Sequence, residues 1–133
     1  MKTKVGRIPG VVWLCVACLG LVPLAASCSS RKSYKLAYER GLSHAEKGDH
    51  DKAIADLTEA IRLEPEKASR YLSRGLSHAE NGDHDKAIAD LTEAIRLEPK
   101  NILAHSCRAK AYRALGDEVK AASDENRAQE LKK

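Results

Sequence analysis

From Ala53 to Leu63 the apolar residues Ala53, Ile54, Leu57, Ala60, Ile61 and Leu63 stand mostly three or four apart, with charged and hydroxyl side chains filling the gaps. That spacing lays one apolar stripe along an α-helix, whereas a half-buried strand would alternate every second residue. The stripe returns as Ala87, Ile88, Leu91, Ala94, Ile95 and Leu97. Segments 41–65 and 75–99 are one sequence written twice, with a single change, Lys47 against Asn81. The offset from Gly41 to Gly75, a period of about 34 residues, belongs to solenoids built from helical hairpins. Gly48-Asp49, Gly82-Asp83 and Gly116-Asp117 mark the turn inside each hairpin: glycine ends one helix and aspartate is suited to cap the next. Pro65 and Pro99 stop the second helix of each of the first two units. The pattern predicts helices over 35–47, 51–63, 69–81, 85–97, 102–115 and 118–131, and an all-α fold of about three hairpins at 34–67, 68–101 and 102–133.

The first residues obey a different pattern. Lys2, Lys4 and Arg7 form a positive start, a mostly apolar run follows from Ile8 to Leu24, and the small residues Ala25, Ala26 and Ser27 close it. This is the layout of a secretory signal over 1–27. Pro9 and Gly10 leave a continuous apolar core of roughly 14 residues, short of the ~20 a spanning helix needs. The segment Leu24-Ala25-Ala26-Ser27-Cys28 resembles the lipobox of bacterial lipoproteins, although Ala25 stands where that family most often has a large aliphatic residue. The resemblance implies cleavage before Cys28 and acylation of its sulfur, with 28–33 as a lipidated N-terminus and short linker, and Ser29 implies outer-membrane sorting. The alternative is an ordinary signal cut after Ser27 or Ala26, leaving a secreted or periplasmic protein.

Charge changes the picture only once that segment is set aside. Removing Lys2, Lys4 and Arg7 from a net charge of +4 leaves +1, with both signs interspersed. No basic block is left, so nucleic acid is not an expected partner. Of the four cysteines, Cys15 and Cys18 lie inside the apolar run, and Cys28 and Cys107 stand alone. No disulfide framework is available.

The hairpins resemble the tetratricopeptide repeat, and the resemblance covers the whole chain after residue 33. Small residues fall where that family crosses its two helices: Gly41, Ala53 and Ala60, then Gly75, Ala87 and Ala94, then Ala109, Ala121 and Ala128. There are departures. His44 and His78 replace a bulky aromatic that Tyr112 restores, and Leu57 and Leu91 give way to Glu125 in the third unit. With Asp124, Asn126 and Arg127 beside it, Glu125 suggests that 118–131 is a capping helix with a polar outer face.

The resemblance places function on the first helix of each unit, which lines a concave face. It implies a groove of Tyr38, Leu42, Leu72, Leu76 and Leu103 with Lys110 and Arg113 in the third unit. The chaperone-binding branch of the family grips a terminal carboxylate with lysines, asparagines and an arginine; the matching places here include Tyr38, Leu42, Ser73, Leu103 and Cys107, so an EEVD-type tail is not the expected ligand. The apolar strip suits an amphipathic helix or an extended hydrophobic segment, unless some of these leucines are buried between units. The expectation is therefore a protein or peptide partner, with a membrane contact through the N-terminal lipid. No small-molecule substrate and no cofactor are expected.

Chemistry-bearing residues add little. His44, His50, His78, His84 and His105 lie near Asp49, Asp51, Asp83 and Asp85, but His44 and His50 are six apart across a turn, unlike the i, i+4 pairing of helical zinc motifs. The expectation is that His44 and His78 pack inside the hairpins, that His50 and His84 sit in turns, and that no metal is held. No nucleophile–base constellation and no phosphate-cradling loop is present, so no enzyme activity is expected. Cys107 lies on a predicted helix, either as a small filler or as a thiol open to pairing. The sequence thus points to an envelope lipoprotein that scaffolds a partner at the membrane, or to a secreted or periplasmic holder of unfolded segments.

Overall fold

A computed structural model describes residues 24–133, with side chains from Lys32 onward. The predicted signal segment up to residue 23 and the side chain of Cys28 lie outside the described residues. Among the described residues six helices follow one another: α1 Leu24–Glu46, α2 His50–Leu63, α3 Ala68–Glu80, α4 His84–Leu97, α5 Ile102–Ala114 and α6 Glu118–Glu130. Helices α1 and α2, α3 and α4, and α5 and α6 pair as hairpins, and each hairpin stacks on the next through α2 against α3 and α4 against α5. The first helices α1, α3 and α5 also touch in succession along one side of the stack. The helix α1 takes in residues 28–33, which the sequence reading leaves as a linker; Ser29-Ser30-Arg31-Lys32-Ser33 contains neither glycine nor proline to stop it. None of the described helices is long and apolar enough to cross a membrane.

Each internal turn is built the same way. Gly48, Gly82 and Gly116 take φ of 80°, 82° and 81°, a left-handed conformation that costs glycine little. The chain then bonds back on itself: Asp49 N–H donates to the His44 carbonyl at 2.9 Å and Gly48 N–H to the Ala45 carbonyl at 3.0 Å, the two bonds of a Schellman cap. The capping role expected of the following aspartates holds at Asp117, which accepts from the Lys120 N–H. Asp49 and Asp83 occupy the cap position but make no such bond; their carboxylates turn to Lys52 and Lys86, at 3.2 and 2.9 Å. His50 and His84 are the first residues of α2 and α4 and not turn residues, because each helix begins one residue earlier than the apolar stripe suggests.

Small residues set how closely the hairpin helices approach. Ala53, Ala60, Ala87, Ala94 and Ala121 are fully buried, and Leu57 and Leu91 are the largest completely enclosed side chains among the described residues. A Cβ added to Gly41 would meet Leu57 Cγ at 2.9 Å, and one on Gly75 would meet Leu91 Cγ at 3.0 Å. Glycine is needed there so that leucine can fill the crossing. Each enclosed leucine contributes roughly 1.5–3 kcal/mol through burial.

A repeating ion pair braces each crossing. Arg40 grips Asp56, Arg74 grips Asp90 and Arg108 grips Asp124, each from the first helix to the second. Arg74 also donates to Thr58 Oγ1 at 3.1 Å, and Arg108 to Thr92 Oγ1 at 3.0 Å, so the second and third pairs reach back to the preceding hairpin. Asp124 is therefore not part of a polar outer face: it is buried, held by Arg108 and by His105 Nδ1 at 3.3 Å. Burial favours its neutral form, but the Arg108 guanidinium and His105 outweigh that and keep the carboxyl below its usual range. Asn126 and Arg127 are exposed as a cap requires, and Glu125 leans out to pair with Arg113 at 2.7 Å.

Candidate functional site

Where α1, α3 and α5 lie side by side, their facing side chains leave a chain of hollows. Between α1 and α3 a cavity of about 290 Å³ is walled by Leu42, Ala45, Glu46, His50, Leu76 and Glu80, with Ser73 and Ser77. Between α3 and α5 a second, of about 230 Å³, is walled by Leu76, Ala79, Glu80, His84, Cys107 and Lys110, with Ala111. A third, of about 250 Å³, continues over α5 and α6 and includes Lys110, Arg113, Glu125 and Lys132. Leu76 belongs to the first two and Lys110 to the last two, so the hollows form one strip.

Of the residues expected to line a groove, the structure brings Leu42, Leu76, Lys110 and Arg113 into this strip. Tyr38 lies half-buried at its edge, its hydroxyl 3.5 Å from Ser73 Oγ and the Arg70 guanidinium 6.0 Å from its ring centre. Leu72 is turned inward, packed against the buried groups around Ala94 and around Leu91. It stands one turn before Leu76, towards the floor where α3 meets α4 and α5. Leu103 is 53% exposed but belongs to none of the three hollows.

Polar groups along the strip were not all foreseen. His44 and His78 pack inside their hairpins as expected, with Nε2 3.7 Å from Asp56 and 3.9 Å from Asp90. Nδ1 of His44, His50, His78 and His84 is buried with no hydrogen-bond partner. Burial lowers the pKa of His78, against the opposing pull of Asp90. His105 is buried between Asp124 and the Pro99 carbonyl, a structural anchor in the third hairpin. Among the described residues no group of three or more metal-ligating side chains converges. Burial pushes the Cys107 thiol up, which leaves it protonated and a weak nucleophile. Arg70, which sequence reasoning passed over, is buried: it donates to the Glu64 carbonyl and carboxylate, each at 2.5 Å, and lies 4.5 Å from the centre of the Tyr34 ring. Its sequence signal is slight: Leu36 and Ala104 occupy the matching places in the other units.

Stacked hairpins whose first helices line a shared strip, repeated at the offset that separates Gly41 from Gly75, agree with a family model described as tetratricopeptide repeat, which matches residues 38–102 and 72–132. The chain belongs to the tetratricopeptide repeat family. Solved structures superpose on it. The Arabidopsis OM64 TPR domain is 27% identical, with a TM-score of 0.75 over 77% of this chain and 84% of that one. The TPR2B domain of yeast Sti1, solved as a pHsp70 complex, is 27% identical, with a TM-score of 0.73 over 75% and 80%. MamA is 29% identical, with a TM-score of 0.73 over 75% of this chain and 58% of that one. No curated protein matches the sequence. Tetratricopeptide arrays present extended concave surfaces to other proteins, and this chain has the architecture for protein–protein interaction.

Proposed function

We propose that this tetratricopeptide protein is an envelope scaffold: a lipid on Cys28 holds it to the membrane, on the periplasmic side of the outer membrane, and the strip over α1, α3 and α5 captures a segment of a partner protein. The observation that carries the binding half is the apolar hollow between Leu42 and Leu76, open to solvent and shared by two successive first helices. The support for the anchoring half is in the sequence, where Lys2, Lys4, Arg7, the apolar run and Ala26-Ser27-Cys28 have the order of a lipoprotein signal. Two or three acyl chains anchor firmly, whereas one alone is marginal. Ala25 favours a second reading, a secreted or periplasmic protein cut by an ordinary signal peptidase. Fractionation decides between them: Cys28→Ala should release the protein from membranes into the soluble fraction. If the variant stays on membranes washed with high salt, lipidation is not what holds the protein.

A further inference from the structure

The groove is not the same along its length. At three matched positions, one repeat apart, the first and second units carry Leu42 and Leu76, Ala45 and Ala79, and Glu46 and Glu80, while the third carries Lys110, Arg113 and Ala114. The hollow between α1 and α3 is consequently apolar at its centre and acidic at its rim, with Glu46 and Glu80 in the same wall. Among the described residues neither of these carboxylates forms an ion pair or a side-chain hydrogen bond. Four aspartates of the same two hairpins do: Asp49 with Lys52, Asp56 with Arg40, Asp83 with Lys86 and Asp90 with Arg74. Both carboxylates stand in the wall of one hollow, and a cation placed there makes charge-assisted bonds with them.

Building on the reading of this strip as a peptide groove, we propose that the α1–α3 hollow selects a partner segment in which an apolar side chain adjoins lysine or arginine. The apolar side chain fills the space between Leu42 and Leu76, and the neighbouring cation pairs with Glu46 and Glu80. An acidic tail is disfavoured there for the same reason, since its charges would add to the carboxylates already present.

Three fluorescein-labelled peptides test this by anisotropy with the full-length protein: Gly-Ser-Leu-Lys-Leu-Arg-Gly-Ser, its neutral counterpart Gly-Ser-Leu-Gln-Leu-Gln-Gly-Ser, and its acidic counterpart Gly-Ser-Leu-Glu-Leu-Glu-Gly-Ser. The cationic peptide should bind tightest, and its affinity should fall as salt screens the pairs. Glu46→Gln with Glu80→Gln should weaken the cationic peptide at least about tenfold and leave the neutral one unchanged, since hydrogen bonds to charged groups are the stronger class. Glu46→Lys with Glu80→Lys should invert the preference towards the acidic peptide, a gain that an unfolded variant cannot show. Equal binding of the neutral and cationic peptides, or a cationic peptide indifferent to both variants, overturns the charge selection and leaves the groove reading standing. Failure of all three peptides to bind overturns both.

Discussion

Arg74 holds Asp90 with two parallel bonds, Nε to Oδ2 at 2.7 Å and Nη2 to Oδ1 at 2.6 Å. Its third nitrogen donates to Thr58 of the preceding hairpin. One side chain thus ties the two helices of the middle hairpin and also ties that hairpin to the first. Both partners are largely removed from solvent, with side-chain exposures of 19% and 10%, so neither is readily rehydrated when the other is lost. Asp90→Ala should cost about 3 kcal/mol or more, most of it from leaving the guanidinium unpaired. The matching Arg40–Asp56 pair is more open at Arg40, 55% exposed, and has no preceding hairpin to reach. Arg40→Ala should be milder than Arg74→Ala in urea unfolding, and equal losses would refute the bracing role of the Arg74–Thr58 bond.

Acid should loosen the middle hairpin before the carboxylates titrate. Burial lowers the pKa of His78 from the ordinary 6.5, with Arg74 and Lys86 adding to that effect and Asp90 and Asp83 opposing it. The folded state therefore prefers the neutral ring, whose Nδ1 lies 3.8 Å from Asp83, beyond hydrogen-bond reach. A group with a depressed folded pKa contributes stability that is present above its unfolded pKa and lost as pH falls through the folded one. The urea midpoint should drop as pH is lowered below about 6.5, and His78→Gln should flatten that part of the profile. A second loss should begin as pH falls through the usual carboxylate range and continue below it, where Asp56 and Asp124, both held low by arginine partners, take up protons in the folded state.

The register of the crossing is open to a matched pair of substitutions. Ala87 has no exposed surface, and its carbonyl oxygen would lie 3.3 Å from a Cβ on Gly75. Ala89, two residues on, faces solvent. Ala87→Leu should cost about 1–3 kcal/mol through overpacking, while Ala89→Leu should change stability by no more than about 0.5 kcal/mol. Thermal melts that shift equally would contradict the packing of α3 on α4.

The fold was legible because period, glycine turns and alanine crossings all repeat: Gly41 and Gly75 could be read as contact points from their place in the repeat alone. The polar interior was less so. Arg74 and Asp90 stand on different helices with a turn between them, a separation without meaning until the hairpin closes, and Asp124 looks like surface beside Asn126 and Arg127. Leu42 and Leu76 could be placed on the groove by the resemblance, but the same transfer also put Leu72 there. Periodicity marks which face of a helix is apolar and does not say how much of that face a neighbouring unit covers.

Leu72 and Leu76 make that distinction measurable, since they stand one turn apart on α3 yet meet different surroundings. Leu72 packs against the buried groups around Ala68, Ala94 and Ala104 and around Ala87, Leu91 and Ala111. Leu76 walls the two hollows of the strip. Leu72→Ala should cost about 2 kcal/mol or more by opening a void in the core, and Leu76→Ala less than about 1 kcal/mol. Binding should rank the other way. Leu76→Glu should abolish capture of the leucine-bearing peptides while the helical circular dichroism spectrum survives, because it places a third carboxylate where an apolar side chain docks. If Leu76→Glu unfolds the chain, Leu76 is core and the hollow is no groove; if it folds and still binds, the contact surface lies elsewhere on the stack.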